Sequence, residues 1–161
     1  MDAIDLLRRQ HHEMEHALKQ VLEAADPTAR QALFATVADQ LTLHIASEEQ
    51  VFYPAVKAAR TEDILLESLE EHLSLKRLLA DLIDLDPAEQ TFDPKFKVLK
   101  EQAEHYHEEE EEHFFPKVCK MLDSARRVAL GEEMLAFQKK LGRAGDPREL
   151  VVNETDTAAP L

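Results

Sequence analysis

Residues 34–55 read FATVADQLTLHIASEEQVFYPA. Phe34, Val37, Leu41, Val51 and Ala55 fall at steps of three and four, and His44 and Glu48 fill the steps between Leu41 and Val51. Such spacing marks one face of a helix packed against neighbours. The stretch therefore predicts a long core-facing helix. Its apolar stripe is broken at mid-length by an imidazole and a carboxylate, one turn apart on the same face.

The pattern recurs on either side. Ile4, Leu7, His11, Met14, Leu18 and Val21 form one stripe, and Leu65, Leu69, His72, Lys76, Leu79 and Ile83 another. Phe96, Leu99, Ala103, Tyr106, Glu110, Phe114 and Val118 form the last. Breakers separate them: Asp26-Pro27, Thr61-Glu62-Asp63, Asp86-Pro87 with Asp93-Pro94, and Asp123-Ser124. The predicted helices cover about 3–25, 28–59, 62–84 and 94–122, with a shorter fifth over about 124–141. Four long amphipathic helices with short connections predict an all-α, up-down-up-down four-helix bundle over residues 1–142. The fifth helix is expected to cross the bundle or to mediate dimerisation, so monomer and dimer both remain open. Beyond Gly142 the chain turns to Gly, Pro, Thr, Asp and Ala, and 143–161 is predicted to be a disordered tail.

Composition narrows the function. The 161 residues hold 3 Gly, as expected of an all-helical chain. With 19 Lys and Arg against 33 Asp and Glu, the net charge is −14. No nucleic acid is expected as a partner, because phosphate binding needs a basic face. No membrane is expected either: there is no spanning apolar run, and an anionic surface would repel the chain. The N-terminal residues carry no secretory pattern, and the single Cys119 suits a reducing compartment, so a cytoplasmic location is expected.

The 8 His sit at 11, 12, 16, 44, 72, 105, 107 and 113. A lone His in a stripe is ordinarily a hydrogen-bonded core residue. Three stripes carrying His, and two carrying Glu, are harder to explain as packing. Facing buried carboxylates repel and raise each other's pKa, whereas a bound cation removes that cost. Imidazole with carboxylate suits non-haem iron or manganese in a bundle. Without thiolates a structural zinc knuckle is not expected.

Four pieces then carry a family resemblance. They are Ile4-Asp5-Leu6-Leu7 with His11-His12-Glu13-Met14, His44 to Pro54, Glu70-Glu71-His72, and His105 through Glu109-Glu110-Glu111 to Phe114-Phe115-Pro116. Over about residues 3 to 122, in order and spacing, the chain resembles the hemerythrin-like (HHE cation-binding) domain. The resemblance implies a four-helix bundle holding two non-haem iron ions joined by an oxo or hydroxo bridge. It implies His11, His44 and His72 as terminal ligands and Glu48 as a bridging carboxylate. The ligand would be O2, NO or peroxide, or the signal iron level itself.

The fourth helix departs from the family pattern. The residue four before Glu110 is Tyr106. Oxygen-carrying hemerythrins separate His and carboxylate by five residues on this helix. That implies His105 with bridging Glu110, and it requires a π-bulge or local rotation. His105 with Glu109 and Tyr106 with Glu110 stay open. Tyr53 reads as a packing aromatic, or alternatively as a ligand from the helix end. Lys76 stands where a carrier has a second His, which points away from reversible O2 carriage. It would neutralise acidic ligands or snorkel to solvent. His107 and His113 are expected at the surface, with His107 as an alternative substitute ligand, His12 and His16 partly exposed, and Cys119 as an apolar filler. Two other functions stay open: a peroxide- or NO-consuming di-iron enzyme, and a cation-binding or interaction module without redox chemistry.

Overall fold

A computed structural model describes residues 1–161, and the chain is helical throughout, without strands. Helix α1 spans Ala3–Glu23. Asp2 caps it by accepting from the Ile4 amide at 2.8 Å. Helix α2 spans Pro27–Ser47; Asp26 caps it, and Pro27 sits in the first turn, where no amide is needed. The helix continues through a wide π segment, Glu48–Phe52, into Tyr53–Val56. Helix α3 spans Glu62–Ile83. Helix α4 spans Phe92–Glu109 and continues through a second π segment, Glu110–Phe114, into Phe115–Met121. Helix α5 is Ser124–Arg143 and α6 is Arg148–Val151.

The two π segments share a cause. Pro54 and Pro116 each lack an amide and crowd the carbonyl four residues back. The turn before each widens, so that the Tyr53 amide reaches the Glu48 carbonyl and the Phe115 amide reaches the Glu110 carbonyl. Each widened turn therefore begins at a glutamate of an apolar stripe.

Helix α1 packs on α2 and α4, and α3 packs on α4 and α2, as in an up-down-up-down bundle. The core has two halves. Met14, Leu18, Phe34, Leu41, Leu79 and Phe96 lie in one, and Ile4, Leu7, Phe52, Leu65, Phe115 and Met134 in the other. Between them lies a layer of buried polar side chains: His11, His44, Glu48, His72, His107 and Glu110.

Helix α5 lies across α1 and α2 of the same chain, one of the two expected roles. Gly131 makes this possible: a Cβ there would stand 2.1 Å from the Met1 carbonyl oxygen. The expectation of a disordered tail from 143 is not matched by the structure. Val151 is buried in the core, Arg148 pairs with Asp39, and Glu154 reaches Lys76. Polar composition concealed these anchors, because one buried valine and two ion pairs leave no periodic signal. Cys119 also differs from expectation. It is exposed, facing away from the neighbouring buried Val118.

Candidate metal centre

All four long helices present an imidazole to the polar layer, and two also present a carboxylate. The nitrogens His11 Nε2 and His44 Nε2 lie beside Glu110 Oε1 and Glu48 Oε1, at 3.2 and 3.0 Å respectively. These separations are short, yet none of the four atoms has an aligned hydrogen-bond partner. Their residues offer ligand atoms within 4.8 Å of one another. Donors crowded together without bonding one another are aimed at a common point. Buried groups left unpaired in this way call for an explanation, and a shared cation supplies one.

The other oxygens of the same two carboxylates face a second group. His72 Nε2 lies 3.0 Å from Glu48 Oε2. The Tyr53 hydroxyl lies 3.1 Å from Glu48 Oε2, 3.1 Å from Glu110 Oε2 and 3.3 Å from His72 Nε2. The Tyr106 hydroxyl donates to Glu110 Oε2 at 2.8 Å and touches that of Tyr53. Glu48 and Glu110 thus each turn one oxygen to either group, as carboxylates bridging two cations do. His11 and His44 could hold one cation, and His72, Tyr53 and Tyr106 the other.

Outer partners fix the rings. His72 Nδ1 bonds Glu49 Oε2 at 2.9 Å, and His11 Nδ1 bonds Glu111 Oε1 at 2.7 Å. His44 Nδ1 instead meets the amide oxygen of Gln10 at 2.9 Å; Gln138 donates to that same oxygen and is itself held by Ser47. Glu48 and Glu110 are therefore each followed by a second glutamate that orients a histidine on another helix, the kind of outer partner that metal-binding imidazoles have. Lys76 is buried and bonds Glu49 at 2.8 Å and Glu154 at 2.9 Å, so it neutralises the outer carboxylate instead of snorkelling.

Protonation follows from these neighbours. Burial opposes a charge on His11, but Glu110 and Glu111 raise it to about 9. Burial is likewise outweighed at His72 by Glu48 and Glu49, giving about 9. Burial and the nearby Glu48 push Glu110 up to about 7. Burial and the two carboxylates hold the Tyr53 and Tyr106 phenols well above their ordinary range. Burial lowers His44 despite Glu48, and lowers His107 to about 3 despite Glu15. Protons on His11 and His72 thus balance the buried carboxylates, while His44 and His107 stay neutral.

Of the six residues expected to ligate, the structure brings five together: His11, His44, Glu48, His72 and Glu110. It leaves His105 outside. That side chain is exposed and lines a surface cavity with Glu71, Ser74 and Gln102. The π segment starts at Glu110, after the interval that it would have had to rotate. Turn 105–109 stays regular, and Tyr106 takes the inner face four residues before Glu110, as His44 does before Glu48. His107, expected at the surface, is buried and stacks on His11 with ring centroids 4.0 Å apart. His113 is exposed, as expected. Sequence reasoning missed Glu49 and Glu111. Their signal was the doublet Glu48-Glu49, repeated as Glu110-Glu111, six residues ahead of a proline counted from its first member.

Known proteins share this arrangement of elements. The hemerythrin HHE cation-binding domain family matches residues 2–118. A hemerythrin HHE cation binding domain-containing protein from Mycobacterium kansasii superposes with a TM-score of 0.81 at 21% identity, covering 96% of this chain and 99% of that one. A protein from Nostoc sp. (strain PCC 7120 / SAG 25.82 / UTEX 2576), described as a DNA nickase, is 25% identical over 141 residues. The match takes in 88% of this chain but 40% of that relative's length.

Proposed function

The chain belongs to the hemerythrin HHE cation-binding domain family, and from that membership and the geometry of its polar layer we propose that it is a non-haem di-iron protein whose small-molecule ligand is O2, NO or peroxide. The observation that carries the reading is the double use of Glu48 and Glu110. One oxygen of each joins the unpartnered His11–His44 group and the other joins the His72–Tyr53–Tyr106 group. Two iron ions held there would supply the electrons for O2, NO or peroxide chemistry.

The chain's own residues do the remaining work. Glu49, Glu111 and Gln10 hold the three imidazoles in one orientation each. The two halves of the core keep bulk water from the layer, which strengthens every charge interaction within it. A cavity of about 110 Å³ between α3 and α4, with Ser68 and Glu71 at its wall, reaches Tyr106 and Glu110. That volume suits a diatomic or peroxide. We place the protein in the cytoplasm, where a single free Cys119 is stable; no helix is long and apolar enough to cross a membrane.

One observation favours a second reading, the peroxide-consuming enzyme. Tyr53 and Tyr106 put hard oxygen donors on one side of the centre, where reversible O2 carriage would be served by nitrogen. Hard anionic donors favour the ferric state. DNA nicking is not part of the proposal, because the match takes in 40% of the Nostoc relative's length and a net charge of −14 disfavours phosphate as a ligand.

Elemental analysis with the visible spectrum tests the proposal. Two irons per chain are expected, with a phenolate-to-iron band that Tyr106→Phe weakens. Glu48→Ala and His72→Ala should each lose iron. A folded protein from iron-rich growth that carries no iron refutes the reading. Catalytic decay of added peroxide in proportion to bound iron would select the enzyme; a stoichiometric spectral change would select the carrier or sensor.

A further inference from the structure

The His11 side of the centre opens on a cavity of about 490 Å³ with no apolar side chain in its wall. Glu15, Glu104, Glu108 and Glu111 line it together with Arg8, and His11 reaches it from the buried layer. Lys100 occupies Glu104 and His11 occupies Glu111, which leaves Glu15 and Glu108, partly offset by Arg8, to set the local potential. Acidic residues alone would be an ordinary solvated face.

An independent feature distinguishes this one. His107 is 1% exposed, and its Nδ1 has no hydrogen-bond partner. The atom closest to pairing with it is Glu15 Oε1, at 3.7 Å. That is too long for a hydrogen bond, yet close to the separation of about 3–3.5 Å between two ligands of one cation with bonds of about 2.1 Å. Glu15 is 40% exposed and free to close the difference. The same imidazole also belongs to the inner group: one donor atom each from His107, His11 and His44 lie within 4.8 Å of one another. His107 therefore lies within reach of both Glu15 on the cavity wall and the first pair of inner ligands, with an Nδ1 that no protein group bonds.

We propose that this cavity is the route by which a divalent cation is taken up, held first between Glu15 and His107 and then passed inward to His11 and His44. The inference rests on the reading of the buried layer as a metal centre. It adds the path and the capture site. The exposed carboxylates concentrate the hydrated ion, Glu15 replaces part of its water shell, and His107 replaces more. The ion enters the dry layer already partly coordinated, which lowers the desolvation cost of the step. The cavity at Tyr106 is the competing route, with Glu71 on its wall.

Loading kinetics separate the two. Metal-free, full-length protein is mixed without oxygen with Co²⁺, and the growth of the visible cobalt bands is followed by stopped flow. Glu15→Gln should load about tenfold more slowly, because steering and first capture are both lost, and should reach the same final cobalt content and spectrum. His107→Ala should load slowly as well, with circular dichroism confirming its fold. Glu71→Gln should load at the wild-type rate. Wild-type loading by Glu15→Gln, or slow loading confined to Glu71→Gln, overturns the route while leaving the metal centre intact. Failure of the unmodified protein to take up Co²⁺ overturns both.

Discussion

Replacing Lys76 by methionine tests whether the outer sphere of the His72 site is as tightly balanced as its geometry implies. Lys76 and Glu49 have side chains 4% and 5% exposed and an N–O separation of 2.8 Å. Removing one partner of a buried ion pair costs about 3–5 kcal/mol, because the other charge is left uncompensated. Here Glu49 keeps its bond from His72, which places the cost at the lower end, about 3 kcal/mol. For a chain of this size that lowers the melting temperature by about 6–12 °C. Neutralising both partners should relieve the penalty: in Lys76→Met/Glu49→Gln the amide oxygen still accepts from His72, and no orphaned charge remains. The double variant should therefore be more stable than Lys76→Met alone. Glu154→Gln should cost at most about 1 kcal/mol, since Glu154 is 46% exposed. Denaturant unfolding of the metal-free wild type, these three variants and Glu49→Gln alone measures each loss. A Lys76→Met variant within about 0.5 kcal/mol of wild type, or a double variant with additive losses, would refute the reasoning.

Three further outcomes are expected. His105→Ala should leave iron content and spectrum unchanged, as an exposed side chain outside the donor group must. Gly131→Ala should destabilise by about 1–3 kcal/mol, since its methyl would meet the Met1 backbone; hydrogen exchange should rise at the start of α1, where Asp2 pairs with Arg127. Chelation should lower the melting temperature, because ligand that binds only the folded chain contributes about 4 kcal/mol at a thousandfold excess over Kd, and added iron should restore it.

The bundle was legible because it is written in one period. Every stripe residue named from spacing lies on a packed helix, and the interruptions at His11, His44, Glu48, His72 and Glu110 reach one layer. The fourth helix was harder to read because a π-bulge has no local signature. Only the pairing of Glu48 with Pro54 and Glu110 with Pro116 reveals that both helices widen from the glutamate onward; the turn before Glu110 stays regular, so Tyr106, the stripe residue, and not His105 points inward. His107 eluded a one-face reading because the neighbour of an inward residue is not expected to be buried; it is covered by His11 from α1, which α4 alone cannot announce. The tail eluded composition for a similar reason. Its anchors are single residues whose partners, Asp39, Lys76 and Arg77, lie far away in sequence.

The repeated doublet relates the two halves of the centre, and it also shows where they differ. His44 precedes Glu48 by four residues and Tyr106 precedes Glu110 by four, so an imidazole on one side answers a phenol on the other. Tyr53 answers Phe115, which places a second phenol on the His72 side alone. The outer sphere differs less: His72 and His11 each bond a carboxylate, Glu49 and Glu111, and only His44 meets the neutral amide of Gln10. A carboxylate partner raises the basicity of a metal-bound imidazole, and hard oxygen donors favour higher metal charge. The first acts on both sides, through Glu49 and Glu111, so the phenol oxygens of Tyr53 and Tyr106 are what set the two positions apart. Two irons in these positions should therefore accept electrons one at a time, the His11–His44 position first. Mössbauer spectra of half-reduced protein should show one ferrous and one ferric site. Tyr53→Phe and Tyr106→Phe should narrow the gap between the two potentials, because each removes an oxygen donor from the ferric side. Reduction in a single two-electron step, unmoved by either substitution, would mean that the shared carboxylates and not the terminal donors set the potentials.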